Sequence, residues 1–317
     1  MAAARRKIQL GLPVYNGEEH LELALKSILG QTYSDFELLI CDNASTDCTQ
    51  MICQDYARLD PRIRYFRNPE NLGLVRNFNR VFSLSNSDYF GFVSHDDDRD
   101  PTFLEKCAAV LDSDPTIVLA MSLVTLIDDH GGTVAQYDRK LLFPNEMSPE
   151  PHKRFRDLIM IPHLCIDDYG LIRTDALRKI NPLYGSHEGN DRNMLAELSL
   201  YGKFYHVPER LFFWRDQRKR ELTFEQWAAR LDTSHAGDIP MPRWQMLAGY
   251  LRTLERVPLD PQERKRCYRA LAEWVPRHTR GLAKDLTRGT RFAWHRTFHS
   301  PYGRRKRVQS KYRSYVI

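Results

Sequence analysis

Over the first hundred residues, apolar positions fall into short runs separated by stretches where they recur every three or four places. "KIQLGLP" (7–13) is a run closed by Pro13. Behind it Asn16 offers a helix cap, and Leu21, Leu25, Ile28 and Leu29 repeat at helical spacing. "FELLI" (36–40) reads as a second strand ending at Cys41-Asp42-Asn43. A second helix follows, capped by Asn43 or Ser45, with Met51, Ile52 and Tyr56 as its inner face. "RIRYF" (62–66) is a third strand, residues 71–87 a loop and a helix, and "DYFGFV" (88–93) a fourth strand. Strand and helix alternating at this spacing predict a mostly parallel sheet with right-handed crossovers.

The pattern then changes. A helix is expected over 102–111, and two apolar runs flank "DHGG", the mark of a hairpin. Residues 138–150 form a polar loop and 150–160 a helix, followed by a turn, a short strand and a helix through "CIDDYGLIRTDALRKI". "HEGNDRNMLAELSLYG" is a loop entering a helix, with Met194, Leu195 and Leu198 inward and Gly202 as C-cap. "FYHVPERLFFWR" is a further strand, and from 241 on the pattern is helical.

Composition narrows the class. With 317 residues and 42% hydrophobic content the chain can build a substantial core. Its longest apolar run, "IVLAMSLVTLI", falls well short of the roughly 20 residues a membrane span needs. No signal peptide is recognisable, and six cysteines without a CxxC pair fit a reduced, cytoplasmic protein with neither a zinc site nor a disulfide framework. The net charge of +6 is uneven: from Arg277 on there are twelve Lys/Arg and one acid, about +11, which leaves about −5 for the rest. Such a tail suits an anionic surface, a membrane leaflet or nucleic acid, or is simply a solvated segment.

In open parallel sheets, ligands bind beyond the carboxyl ends of the strands. Here those ends read "PVYNGEE", "CDNASTD", "NPENLG" and "SHDDD". All are polar, of the kind that holds nucleotides and metals.

"LPVYNGEEHLELALKSILGQTYSDFELLICDNASTDCT", "NLGLVRNFNRVF", "HDDD" and "GND", in this order, resemble the family 2 glycosyltransferases of GT-A fold, over about residues 7–220. The resemblance implies an α/β, Rossmann-like, mostly parallel sheet flanked by helices. It places the catalytic domain at 1–235, with a nucleotide-sugar half at about 1–100 and an acceptor half at 101–235. A helical extension with a basic tail would cover 236–317. It also implies that Pro13, Val14 and Tyr15 pack against the nucleobase, an aromatic ring stacking on a base for about 1–3 kcal/mol. Glu19, rather than Glu18, matches the family's acidic loop residue. Asp42 matches the aspartate that accepts a hydrogen bond from the base, with a helix cap as its alternative reading. Arg76 and Arg215 are diphosphate contacts by the same resemblance, since a guanidinium suits phosphate oxygens.

The family's Asp-x-Asp, anchored on Pro101, puts its second aspartate at Asp96 and its first at Ser94, with His95 between. One carboxylate is therefore missing. Mg²⁺ or Mn²⁺ at a phosphate site takes one or two carboxylates, so Asp96 alone can serve as metal ligand. Asp97 is expected to orient local structure, and Asp98 to face solvent or cap the next helix with Asp100. Asp216 or His235 could substitute for a family histidine. Asp191 matches the general base, with Glu188 as competitor. A positioned base gives about 10²–10⁴-fold, and direct displacement implies inversion. The expected reaction is transfer from a nucleotide-diphosphate sugar, UDP favoured, to a hydroxyl of a glycan or glycoconjugate. A nucleotidyltransferase would want a basic Gly-rich loop where "PVYNGEEH" is acidic, and a dehydrogenase would want GxGxxG there. A catalytically weak homologue acting as a binding module stays open because of Ser94. No nucleic-acid partner is expected, a homo-oligomer is open, and the tail suggests peripheral contact with an anionic membrane.

Overall fold

The computed structural model describes residues 7–137, 143–216 and 241–298. Strands β1 (Ile8–Val14), β2 (Phe36–Asp42), β3 (Ile63–Arg67) and β4 (Tyr89–Phe92) are the four parallel strands of the expected nucleotide half, in the order β3-β2-β1-β4. Every residue of β1 and β4 is buried, as a central strand covered on both faces requires. Helices α1 (Leu21–Leu29), α2 (Thr49–Leu59) and α3 (Leu74–Ser83) connect them.

The sheet continues through β8 (Leu171–Arg173), β6 (Ile117–Ile127), β9 (Lys203–Arg215) and the two-residue β5 (Asp98–Arg99). β8 runs antiparallel to both β4 and β6, while β6 and β9 are parallel. β7 (Thr133–Tyr137) completes the expected hairpin with β6, and Asp128 Oδ1 closes its turn by accepting from the amides of His130 (2.9 Å) and Gly132 (2.8 Å). Helix α4 (Phe103–Ser113) leads into β6. Helix α5 (Pro151–Met160), a 3-10 turn (Ile166–Tyr169), the short α6 (Thr174–Leu177) and α7 (Asn190–Tyr201) fill the second half.

The C-terminal helices α8 (Pro242–Arg256) and α9 (Pro261–Phe298) share the core of the sheet domain. Trp274 of α9 meets Tyr250 of α8 edge-on at 5.9 Å, and Tyr250 meets Phe155 of α5 at 6.0 Å. Glu197, buried in α7, accepts from Thr253 Oγ1 at 2.8 Å and pairs with Arg256. The extension is thus keyed to the helix that carries Asp191.

Several local expectations are corrected. Asn16 does not cap α1: it sits at φ +50° and its Oδ1 accepts from the Thr46 amide at 2.8 Å. Neither Asn43 nor Ser45 caps α2, which starts at Thr49. Met51 is exposed, while Thr49 and Cys53 are buried, because a start at Thr49 turns position 51 outward. Gly202 does stand at the C-cap of α7, but in extended backbone at φ −179°; a Cβ there would lie 2.3 Å from Val118 Cγ1, so close packing demands the glycine.

Candidate functional site

The polar residues that read as caps in the sequence instead stitch the strand-end loops together. The amide of Asn16 donates to Ser45 Oγ (3.0 Å), that of Gly17 to Thr49 Oγ1 (2.8 Å), and that of Cys48 to Glu18 Oε2 (2.8 Å). Asn43 Oδ1 accepts from Asn68 Nδ2 (2.8 Å) and the Leu72 amide (2.9 Å), tying the ends of β2 and β3 to the start of α3. The platform beyond β1, β2 and β3 is fixed by these bonds before any ligand arrives.

On it, Pro13 and Val14 are buried as part of β1, so Tyr15, 43% exposed, is the residue of that motif presented to solvent. Asp42 is fully buried. Its Oδ1 accepts from the Ser45 amide (2.9 Å), and its Oδ2 accepts from Tyr65 Oη (2.7 Å) and pairs with Arg67. Both oxygens of Asp42 are thus engaged by the protein, and the partly exposed Arg67 guanidinium stands over it. Arg67 was not singled out in the sequence; its signal is the place at the end of β3, one strand from Asp42. Glu19 is exposed, 3.9 Å from His20 Nε2. With Asn16, Gly17, Glu18, His20, Asp47 and His95 it lines a cleft of about 290 Å³. Arg76 lies on the exposed side of α3.

The loop between β4 and β5 holds the aspartates. Ser94 Oγ donates to Asp96 Oδ1. Asp97 is buried; its Oδ1 accepts from the Arg215 amide at 2.8 Å, and its Oδ2 has no hydrogen-bond partner among the described residues. Burial, and then the charge of Asp96, push the Asp97 carboxyl well above the usual range. Buried Arg99, brought down to about 10 by burial, lies over the rings of Phe212 (4.8 Å) and Phe103 (5.5 Å) and donates to the Phe92 carbonyl at 3.0 Å.

Arg215 and Asp98 depart from expectation. The Arg215 guanidinium donates to the carbonyls of Asp96 (2.8 Å) and Asp128 (2.6 Å) and to Asp98 Oδ2 (3.0 Å). At 3% exposure, with three of its N–H donors committed to the protein, it is a staple behind the aspartate loop rather than an arm toward a diphosphate. Asp98 is accordingly a partly exposed ion-pair partner of Arg215 rather than a helix cap. Asp100 accepts from the Thr102 amide at 2.9 Å in the turn ahead of α4, whose N-cap position is Thr102.

Asp191 stands in the first turn of α7, after Gly189 at φ +82°, a conformation that suits glycine. Its Oδ1 accepts from the Arg192 amide at 2.8 Å, and its charge, after burial, pushes the Cys165 thiol well up. Glu188 is exposed. The 3-10 turn brings the two halves together: Asp168 on that turn feels the charges of both Asp191 and Asp97.

Beyond β4, Asp96, the orphaned Oδ2 of buried Asp97, and Ser94 offer oxygen donors. That chemistry fits Mg²⁺ or Mn²⁺. Asp216 donates its amide to the Ile127 carbonyl at 2.9 Å, and His235 lies outside the described residues. Glu150, His152 and Glu263 form a separate group of metal-type donors between α5 and α9. Lys153 pairs with Glu150, and Arg266 with Glu263 at 2.7 Å, so this group is an ion-pair network joining two helices.

Residues 10–180 match the family described as "Glycosyl transferase family 2". An uncharacterized glycosyltransferase of Haemophilus influenzae is 23% identical over 205 residues, 63% of this chain and 62% of that protein, so the match spans about three fifths of the relative. Two solved structures share the fold. S. aureus TarS 1-349 in complex with UDP aligns at a TM-score of 0.60 and 17% identity, covering 86% of this chain and 71% of that one. The mannosyltransferase PcManGT of Pyrobaculum calidifontis, in complex with GDP-Man and Mn2+, aligns at 0.57 and 14% identity, covering 94% and 77%.

Proposed function

Because the chain belongs to glycosyl transferase family 2 and carries its nucleotide-sugar-binding GT-A fold, we propose that it is a divalent-cation-dependent, inverting glycosyltransferase acting on a hydroxyl of a glycan or glycoconjugate. The carrying observation is that one 3-10 turn packs against both β4, whose end carries the aspartate loop, and α7, which carries Asp191. These are two acidic groups on opposite halves of the fold, with room for different tasks.

Asp96, backed by Asp97 and Ser94, would hold the cation, which when bound neutralises charge on the nucleotide diphosphate. Tyr15 offers its exposed ring to the base, and Arg67, oriented by Asp42 and Tyr65, presents its guanidinium at the same platform. Asp191 takes the proton of the acceptor hydroxyl as that oxygen attacks the anomeric carbon, on the face opposite the leaving diphosphate. A sugar hydroxyl is a weak acid, so proton removal and attack are concerted. One displacement inverts the configuration. The helix N-terminus at Asp191 supplies local amide dipoles that favour a carboxylate there. A UDP-sugar is the favoured donor, supported by the UDP complex of TarS.

A screen of nucleotide sugars with Mn²⁺ or Mg²⁺, read by thermal shift and by donor hydrolysis, tests this. Asp96→Ala should abolish cation-dependent nucleotide binding. Asp191→Asn should bind the donor and lose about 10²–10⁴-fold in transfer. Normal transfer by Asp191→Asn would dismiss it as the base. Binding without any turnover by the wild type would favour the binding-module reading that Ser94 keeps open.

No helix among the described residues is long and apolar enough to cross a membrane. A cytoplasmic enzyme touching anionic lipid through its basic C-terminus is part of the same proposal. Residues 299–317 of that tail lie outside the described residues. Salt-sensitive binding to anionic vesicles that vanishes on deleting 291–317 supports the contact, and unchanged binding after deletion removes it.

A further inference from the structure

The 3-10 turn Ile166–Tyr169 carries two adjacent buried aspartates with unlike surroundings. Asp167 Oδ1 lies 2.9 Å from His206 Nε2, and His206 Nδ1 lies 2.9 Å from Glu146 Oε2, so Asp167 belongs to a histidine-centred network that ties the turn to β9. Asp168, 7% exposed, has no such counterpart. Its Oδ2 accepts one long hydrogen bond, 3.3 Å, from Tyr184 Oη, and its Oδ1 is buried without a hydrogen-bond partner among the described residues.

The charges acting on Asp168 most strongly are Asp191 and then Asp97, both acidic. Tyr184 cannot turn to serve Oδ1. Its backbone exchanges two bonds with the Asn79 side chain (2.9 and 3.0 Å), and its ring is wedged edge-on against Phe78 (5.5 Å) and Phe92 (5.6 Å). A carboxyl buried beside like charges, with one oxygen unserved, is costly for the fold. An asparagine would accept from Tyr184 just as well. The fold alone therefore gives no reason for the acid. A ligand does, because the 3-10 turn packs against both β4, whose end carries the aspartate loop that would face the leaving diphosphate, and α7, which carries the Asp191 that would face the attacking hydroxyl. In the reaction proposed above, the transferred sugar sits between those two groups.

We propose that Asp168 is a substrate-contacting residue whose carboxyl group hydrogen-bonds a hydroxyl of the transferred sugar. The inference rests on the glycosyltransferase reading and deepens it. Its test uses the full chain with an accepted nucleotide sugar, the matching nucleoside diphosphate without the sugar, and the variants Asp168→Asn and Tyr184→Phe. Asp168→Asn should lower kcat/KM for the nucleotide sugar about 10- to 100-fold, the size of a charge-assisted hydrogen bond. It should leave nucleoside-diphosphate affinity within about twofold and the melting temperature unchanged or raised. Tyr184→Phe should lose stability and less activity. Donor analogues lacking single hydroxyls should include one for which wild type and Asp168→Asn converge. Wild-type kinetics in Asp168→Asn, an equal loss of nucleoside-diphosphate binding, or identical kinetics in Tyr184→Phe would each overturn the assignment. Failure of the folded wild type on every nucleotide sugar would overturn the underlying reading, and this inference with it.

Discussion

Replacing Arg215 with methionine separates a structural staple from a diphosphate contact. The substitution keeps length and apolar bulk but deletes the guanidinium. It leaves the carbonyls of Asp96 and Asp128 without their 2.8 and 2.6 Å donors and Asp98 without its 3.0 Å partner, while the Arg215 amide that serves Asp97 remains. Both carbonyls are only part-buried, so each left unserved costs about 1 kcal/mol, the low end of the penalty. Asp98, about one third exposed, recovers much of its loss from water and adds under about 1 kcal/mol. The sum is about 2–3 kcal/mol, and at roughly 2–4 °C per kcal/mol for a large domain the melting temperature should fall by about 7 °C. Because the loop that loosens carries Asp96, cation-dependent nucleotide binding should weaken as well. Arg215→Lys, which keeps the charge but not the three-way fork, should fall between. Differential scanning fluorimetry with and without nucleotide and Mn²⁺ reads both effects. A variant that melts within about 2 °C of wild type yet needs tenfold more donor would refute the staple and restore Arg215 as a phosphate ligand.

Other perturbations follow from the same coordinates. Gly189→Ala places a Cβ at φ +82° and 2.3 Å from Met246 Cε, so it should cost about 1–2 kcal/mol in urea unfolding and reduce transfer by shifting the start of α7; unchanged activity would show that Asp191 tolerates the shift. Arg67→Ala should raise the nucleotide requirement and lower stability, since it strips fully buried Asp42 of its cation; an unaltered nucleotide affinity would remove Arg67 from the binding platform. The Arg62 guanidinium beside Asp60 holds its carboxyl below the usual range. A carboxyl depressed on folding stabilises fully above its unfolded value and ceases to as pH falls through its folded one, so this contribution should fade below about pH 4. Asp60→Asn should therefore destabilise at pH 7 and have little effect near pH 2.5, and equal losses at both would contradict the assignment.

The strand ends were legible because apolar runs closed by Pro13, Asp42-Asn43 and Ser94 report both the sheet and its carboxyl edge. The parallel order of the first four strands follows from their helical connections. What individual polar residues do at that edge was not legible. Asn16, Asn43 and Ser45 have the chemistry of caps, and nothing in a one-dimensional pattern tells a cap from a cross-link between loops roughly 25–30 residues apart, which is what they are. Arg215 fails for a related reason. A guanidinium suits phosphate and backbone carbonyls equally, and the choice is made by β9 running beside β6 and β5, which aims the side chain at the back of the aspartate loop. Asp168 was hidden most deeply. "DDYG" shows two equivalent acids, and only the packing of His206 against one and of Tyr184 against the other makes them unlike. Local chemistry in the sequence thus marked the edge where ligands bind. The division of its polar groups between holding the edge together and meeting a substrate is set by contacts between distant segments.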